Sequence, residues 1–238
     1  MRQFHVDKMF EFMIKVLPKL SVTFTYVIFS LLFGLIIGVL ILKLKLGKNR
    51  AGRAFANLYI TVMRCVPSLV MLFLVYFGLP GLLEKIFHVS MQKVPVIVWV
   101  VITFSLFLGS QTAELMRAAY QSVEKGQFEA GVTSGLTPFQ TFYRIIFPQA
   151  FYAALPNLCN VVIFLFKEGA LGYTVGLLDI LGWGYSLSGL SGHSYALELY
   201  VGLAIIYWAV TILIEKVFTV AERNMSIEHK IRKGGKTA

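Results

Sequence analysis

EAGVTSGLTPFQTFYRIIFP, Glu129 to Pro148, is the stretch around which the rest of the chain is read. It lies between two long apolar segments. It is too polar to span a bilayer and too patterned to be a plain loop. From Gln127 to Leu136 the residues Phe128, Val132 and Leu136 recur at i, i+4 and i+8, one apolar stripe on a short helix. Thr137-Pro138 is expected to end that helix, because proline pushes the residue before it out of helical geometry. Gly131 and Gly135 are also four apart and give a face without side chains that another backbone can approach closely. Taken from residues alone, the stretch is either such a docking helix or a solvated connector with a turn in it.

Composition sets the environment. The 238 residues are 57% hydrophobic and only 14% charged, and the mean hydropathy is +0.73. A soluble domain cannot bury that much apolar surface, so the chain is expected to be an all-α integral membrane protein. The net charge of +10 fits basic cytoplasmic loops and anionic lipid, not nucleic acid. Cys65 and Cys159 both lie in apolar segments without metal-ligand spacing, and no zinc pattern occurs elsewhere. No cleavable signal peptide is expected, since charges are scattered through the first twenty residues.

Along the chain, residues 1–19 mix Phe4, Met9, Phe10, Met13, Ile14 and Leu17 with charges, as an amphipathic helix in the membrane interface does. Leu20 to Leu42 is 23 residues without a charge and spans a bilayer. The second span is expected at about 54–80, interrupted by Arg64 and Pro67, and a hydrophilic hairpin region at 81–93. The third lies at about 94–113, followed by the polar region 114–144 that holds the opening stretch. The fourth, 145–166, contains Pro148 and Pro156. Residues 167–194 carry seven glycines, which argue against a regular span; a short helix near Val175 to Leu181, folded back on the membrane, is expected there. The fifth span is expected at about 195–214, making 20–214 a five-helix membrane domain, followed by a fraying basic tail, 215–238.

Five spans put the termini on opposite sides. The loops 43–53 and 114–144 and the tail together hold 14 Lys and Arg, against 7 on the other side. The positive-inside rule then places the amino terminus outside and the opening stretch in the cytoplasm.

The stretch resembles the EAA loop of the membrane subunits of bacterial ATP-binding-cassette (ABC) importers: Glu-Ala-Ala, three residues, Gly, nine residues, Ile-x-Leu-Pro. Here it reads Glu129-Ala130-Gly131, three residues, Gly135, nine residues, Ile145-Ile146-Phe147-Pro148. Every spacing fits; Gly131 replaces the second Ala and Phe147 the Leu. Further segments resemble the polar amino acid permeases of that family: Tyr59 with Arg64, Pro67 and Leu69; Tyr76-Phe77-Gly78-Leu79-Pro80; Glu114, Arg117, Ser122, Val123, Gly126 and Gln127; Pro148-Gln149-Ala150; Leu155-Pro156-Asn157; and Lys167-Glu168-Gly169-Ala170-Leu171, where the family has Lys-Asp-Thr-Ser-Leu. The resemblance implies a type I importer permease fold of five transmembrane helices in the bacterial plasma (inner) membrane. It implies coupling to an ATPase through Glu129, Ala130, Gly131, Gly135 and Leu136. It also implies a second permease subunit, identical or related, two cytoplasmic ATPase subunits that carry the ATP and Mg, and an extracytoplasmic amino-acid-binding protein.

Arg64 is the one charge deep in a span, and such a charge usually faces a cavity or a partner. It suits the carboxylate of an amino acid; the alternative is that it snorkels to the interface. Pro67 removes a backbone hydrogen bond and is expected to kink the helix. Lys167 and Glu168 close the fourth span as part of an outer gate or as an interfacial anchor, and Glu198 meets a cationic substrate group or sits at the interface. Glu114 and Arg117, at i and i+3, form a helix-surface ion pair. No catalytic residues are expected. Gly235-Lys236-Thr237 lacks the first glycine of a phosphate loop and any helix after it. Gly189-Leu190-Ser191-Gly192 echoes an intramembrane serine protease, but no His lies inside a span. An ATP-independent secondary transporter or channel is the alternative within transport, although no internal repeat supports it.

Overall fold

The computed structural model describes residues 4–234, with side chains through Met225. Among the described residues the fold is entirely helical. It comprises α1 (Val6–Val16), α2 (Leu20–Leu46), α3 (Arg50–Cys65), α4 (Ser68–Phe73), α5 (Leu79–Phe87), α6 (Val96–Gln121), α7 (Lys125–Thr133), α8 (Pro138–Thr141), α9 (Phe147–Glu168), α10 (Ile180–Leu190) and α11 (Ala196–Gly234). Five continuous stretches are long and apolar enough to cross a membrane: Val6–Leu46, Ser68–Phe87, Val96–Gln121, Pro138–Val175 and Ala196–Met225.

The bundle is built around α6, the most buried of the five, which packs against α2, α3, α4 and α9. Lipid is as apolar as the protein interior, so the packing rests on close approach and on polar groups satisfied within the protein. Gly34 and Gly38 of α2 supply the close approach. A side chain at either would overlap Leu108 or Thr112 of α6. The two contacts advance together, so α2 and α6 run parallel. The polar residues of α6 turn back on their own helix: Thr103 donates to the Trp99 carbonyl at 2.8 Å, Ser110 to Phe107 at 2.9 Å and Thr112 to Leu108 at 2.6 Å. Thr112 also reaches the Gly34 carbonyl at 3.1 Å, tying α6 to α2.

Several element boundaries differ from the sequence reading, each for a local reason. The amphipathic helix in 1–19 is α1, which buries Met9, Phe12 and Val16 and leaves Phe10 and Ile14 exposed. Its inner face rests on α10 and α11, so only part of its apolar surface is left for lipid. The second span is broken, not merely kinked. Val66 and Pro67 are extended, with ψ of 128° and 139°, and separate α3 from α4. The expected hydrophilic hairpin at 81–93 stays helical to Phe87, because Leu82, Ile86 and Phe87 continue the apolar surface of α5. Helix α6 runs eight residues past the expected end at 113, its charges there paired with one another. The short helix expected near 175–181 lies instead at 180–190. Residues Gly169–Val175 continue α9 as a tighter 3-10 turn, and Asp179 caps α10 by accepting from the Gly182 amide at 2.9 Å. The tail does not fray at 215: α11 remains helical to Gly234, and residues 235–238 lie outside the described residues.

Two wide turns with i+5 hydrogen bonding, Leu74–Gly78 and Phe142–Ile146, each sit just before a proline, Pro80 and Pro148. Proline offers no amide and its ring crowds the carbonyl four residues back; widening the turn accommodates both without ending the helix.

Candidate functional site

The link from α6 to α9 is built from capping chemistry. Three residues after α6, helix α7 begins at Lys125. It stops through paired hydrogen bonds: the Leu136 amide donates to the Gly131 carbonyl at 3.2 Å and the Gly135 amide to Val132 at 3.0 Å. This arrangement needs a left-handed residue, which Gly135 supplies at φ 86°. Thr137 then starts α8 instead of merely breaking α7. Its hydroxyl accepts from the Gln140 amide at 3.3 Å, the Gln140 side chain accepts from the Thr137 amide at 3.0 Å, and Pro138 occupies the first helical position.

The glycine face expected for a visiting backbone is already covered by the chain itself. A Cβ at Gly131 would lie 2.5 Å from Thr141 Cγ2 and 3.1 Å from Ile145 Cδ1. This accounts for glycine where the EAA pattern has alanine: α7 is folded hard against the start of the next helix. What α7 presents outward is Glu129 and Ala130, together with Phe128 and Val132 at 38% and 40% exposure. Leu136, half-buried, follows the stop.

A second group of residues gathers where α4 meets the end of α9. The Ser68 hydroxyl hydrogen-bonds Glu168 Oε1. Pro67 lies immediately before Ser68, and Arg64 stands in the last turn of α3, exposed and without a hydrogen bond or ion pair among the described residues. Lys167 is exposed beside Glu168. The backbone on either side of Glu168 is fixed by Tyr26: its buried ring lies against Gly169, and its hydroxyl donates to the Phe166 carbonyl at 3.3 Å. Glu198 does not join this group. It is 2% exposed and accepts from the His5 amide at 3.1 Å, fastening the start of α1 to α11.

Ser68 was missed from the sequence because its partner is a hundred residues away and no local pattern announces it. Lys45 was missed as well. It stands in a basic run that reads as interfacial charge, yet it pairs with Glu114 of α6. No group of three or more potential metal-binding side chains occurs among the described residues.

The sequence profile of a family described as the binding-protein-dependent transport system inner membrane component matches residues 15–227. The chain belongs to that family. Among relatives of this permease, the L-cystine transport system permease protein TcyL of Bacillus subtilis (strain 168) is 35% identical over 224 residues, covering 94% of this chain and 92% of the relative. The L-cystine permease TcyB of the same organism is 32% identical over 203 residues, covering 85% and 83%. A crystal structure of an amino acid ABC transporter aligns with TM-score 0.77 at 27% identity, over 94% of this chain and 100% of that one. An inward-facing structure of the MetNI methionine ABC transporter aligns with TM-score 0.66 at 20% identity, over 92% and 98%, and shows the shared fold. The permease is therefore a multi-pass protein of the bacterial inner membrane, and α7 lies within the region its family profile matches.

Proposed function

We propose that this permease is the membrane half of an ATP-driven importer of a polar L-amino acid, with its amino terminus outside and α7 in the cytoplasm. The observation that carries this reading is the form of α7. It is a short helix closed on one side against its own chain and open on the other, with Glu129, Phe128 and Val132 outward. An exposed apolar-and-acidic helix held by caps at its end, with little burial of its own, suits insertion into a groove of a separate ATPase. Two such ATPases hold the ATP and Mg; this chain hydrolyses nothing itself. A second permease, the same chain or a relative, completes the pathway, since one five-span subunit is too small to enclose it. A binding protein outside delivers the substrate.

The broken span suits a zwitterion. Arg64 offers an unpaired guanidinium for a carboxylate, and Glu168, steadied by Ser68, offers a carboxylate for an ammonium group. The break at Pro67 also leaves carbonyls in the last turn of α3 without i+4 donors. Lys167 stands at the same end of α9 as part of an outer gate. Alternating access then follows two states of the ATPases, biased by ATP through its differential affinity for them.

The test is copurification of the tagged chain from its native membrane, followed by ATPase assay in nanodiscs. A cytoplasmic ATPase in equal number, stimulated by an amino-acid-binding protein, is the expected result. A chain that purifies alone and moves solute in liposomes without ATP overturns the reading in favour of a secondary transporter. Glu129→Arg is expected to insert normally and to lose both the ATPase and uptake.

A further inference from the structure

Four side chains, three charged and one an amide, form a continuous chain of ion pairs and hydrogen bonds from the end of α2 to the end of α6. Lys45, in the last turn of α2, pairs with Glu114 Oε1. Glu114 Oε2 accepts from Arg117 Nε at 2.9 Å and pairs with Arg117 Nη2 at 2.8 Å. Arg117 Nη1 donates to Gln121 Oε1 at 2.6 Å. Gln121 is the last residue of α6, and α7 starts at Lys125. Both carboxylate oxygens of Glu114 are thus in use, one towards each helix, and the contacts end at Gln121, three residues short of α7, which itself packs on α8 and the turn Phe142–Ile146. The charged groups at this end of α2 and α6 are partly buried, with side-chain exposures of 22–32%. Solvent screens them less than it screens a fully exposed pair. Gly34 and Gly38 already lock α2 to α6 deeper in the bundle. The ionic chain therefore adds little to helix association. Its contribution is to fix the rotation and direction of the last two turns of α6.

We propose that Glu114 is a positioning residue that fixes α7 relative to the α2–α6 pair, so that displacement of α7 by the ATPase reaches the membrane bundle instead of being absorbed as bending at the end of α6. Lys45 is its partner across the helix pair. The carboxylate touches no substrate; it acts through Arg117 and Gln121. This inference rests on the proposed ATPase coupling, and it adds a structural element outside the EAA stretch to that coupling.

Two readouts test it. The first uses the assembled complex in nanodiscs with Cys65 and Cys159 replaced by serine and spin labels at Lys48 and Gly126. The distance distribution between labels is expected to be narrow in the parent protein and at least twice as wide in Glu114→Gln. The second uses proteoliposomes and a mixture of radiolabelled L-amino acids as the probe, with uptake divided by ATP hydrolysed. That ratio is expected to fall at least fivefold in Glu114→Gln, while the ATPases still copurify, which a general loss of folding would not allow. Lys45→Met keeps the alkyl stem and the Glu114–Arg117 pair. It is expected to lower the ratio in the same direction, and the double variant is expected to fall no further than Glu114→Gln alone. An unchanged ratio and an unchanged distance distribution overturn the inference, as does a double variant whose losses multiply. If Glu114→Gln fails to assemble, Lys45→Met decides by the same two readouts. If the parent complex shows no ATP-dependent uptake, the functional reading fails, while the label distances still decide the ionic chain separately.

Discussion

Residues 122–137 and 169–195 each join two membrane helices, and each contains a short helix and a glycine in the left-handed region, Gly135 at φ 86° and Gly176 at φ 90°. They are stabilised in opposite ways. In the first, Gly131 is the one buried residue of α7, and the fold is held by the paired amides at Gly135 and the reciprocal caps of Thr137 and Gln140. In the second, Ile180, Gly182, Gly184 and Ser188 of α10 are buried, as is the capping Asp179. Gly184 lies against Leu199 and Val16, and Lys19 sits 4.7 Å over the Trp183 ring. A segment held by its own caps can keep its shape with an open face, which is what a coupling element needs. A segment held by neighbours becomes part of the bundle and gives up its surface.

The contrast is most exposed to failure at two glycines. At Gly182 a Cβ would overlap the Leu177 carbonyl oxygen, which is backbone and cannot swing aside. Gly182→Ala is therefore expected to cost about 3 kcal/mol, the upper end for an overpacked site, read as a large drop in Tm in nanodiscs. At Gly126 a Cβ meets nothing within 4 Å, and Gly126→Ala is expected to gain up to about 1 kcal/mol of helix stability. Equal tolerance at both positions would remove the distinction between the segments.

Next in size is Gly135→Ala, which puts a side chain into left-handed backbone at a cost of about 1–2 kcal/mol. Because α7 is open, the global Tm is expected to move little, while ATPase copurification and uptake drop. A large fall in Tm with copurification intact would show that the stop serves the bundle and not the coupling surface.

Gly131→Ala sharpens the same point. The clash with Thr141 is expected to weaken coupling, and Thr141→Ala is expected to restore most of it, since it removes both Cγ2 and a buried hydroxyl that has no hydrogen-bond partner among the described residues. A double-mutant cycle is expected to give an interaction of about 1 kcal/mol. Additive losses would mean that α7 does not lean on Thr141.

A further test of the buried segment is one of pH. Burial pushes the Asp179 carboxyl from its ordinary 3.8 up to about 6, partly opposed by backbone amides of Gly182 and Leu181. The folded chain then keeps a proton that the unfolded chain has lost, so stability falls as pH rises from about 4 to about 6 and stays lower above. Asp179→Asn retains the capping oxygen and is expected to abolish that slope in a Tm-versus-pH series. A slope that survives the substitution would assign the dependence elsewhere.

How far the sequence could be read differs along the chain for physical reasons. The EAA spacing, the apolar runs and the caps are short-range features, and they identified the family. The face at Gly131 is not free as its spacing suggests, because spacing shows that a face is smooth but not what already covers it. The helix at 180–190 was placed too early, because its start depends on Asp179 being buried against other helices. Glu198 could be read from sequence as a pathway charge or as an interfacial one, and it is engaged by the start of α1, a contact between residues almost two hundred positions apart.

The sequence by itself determined that this is an all-helical membrane chain of the permease family, that it has five apolar stretches, and that it carries the EAA spacing with a glycine at its stop. These follow from hydropathy and from hydrogen bonds spanning a few residues, which any copy of those segments would form. Only the tertiary structure decided which faces are free. The folding of Gly131 onto Thr141, the Ser68–Glu168 contact and the reach of Lys45 across to Glu114 all depend on side chains brought together from distant helices. The pairing of such groups is set by how the helices pack, and local sequence carries no record of it.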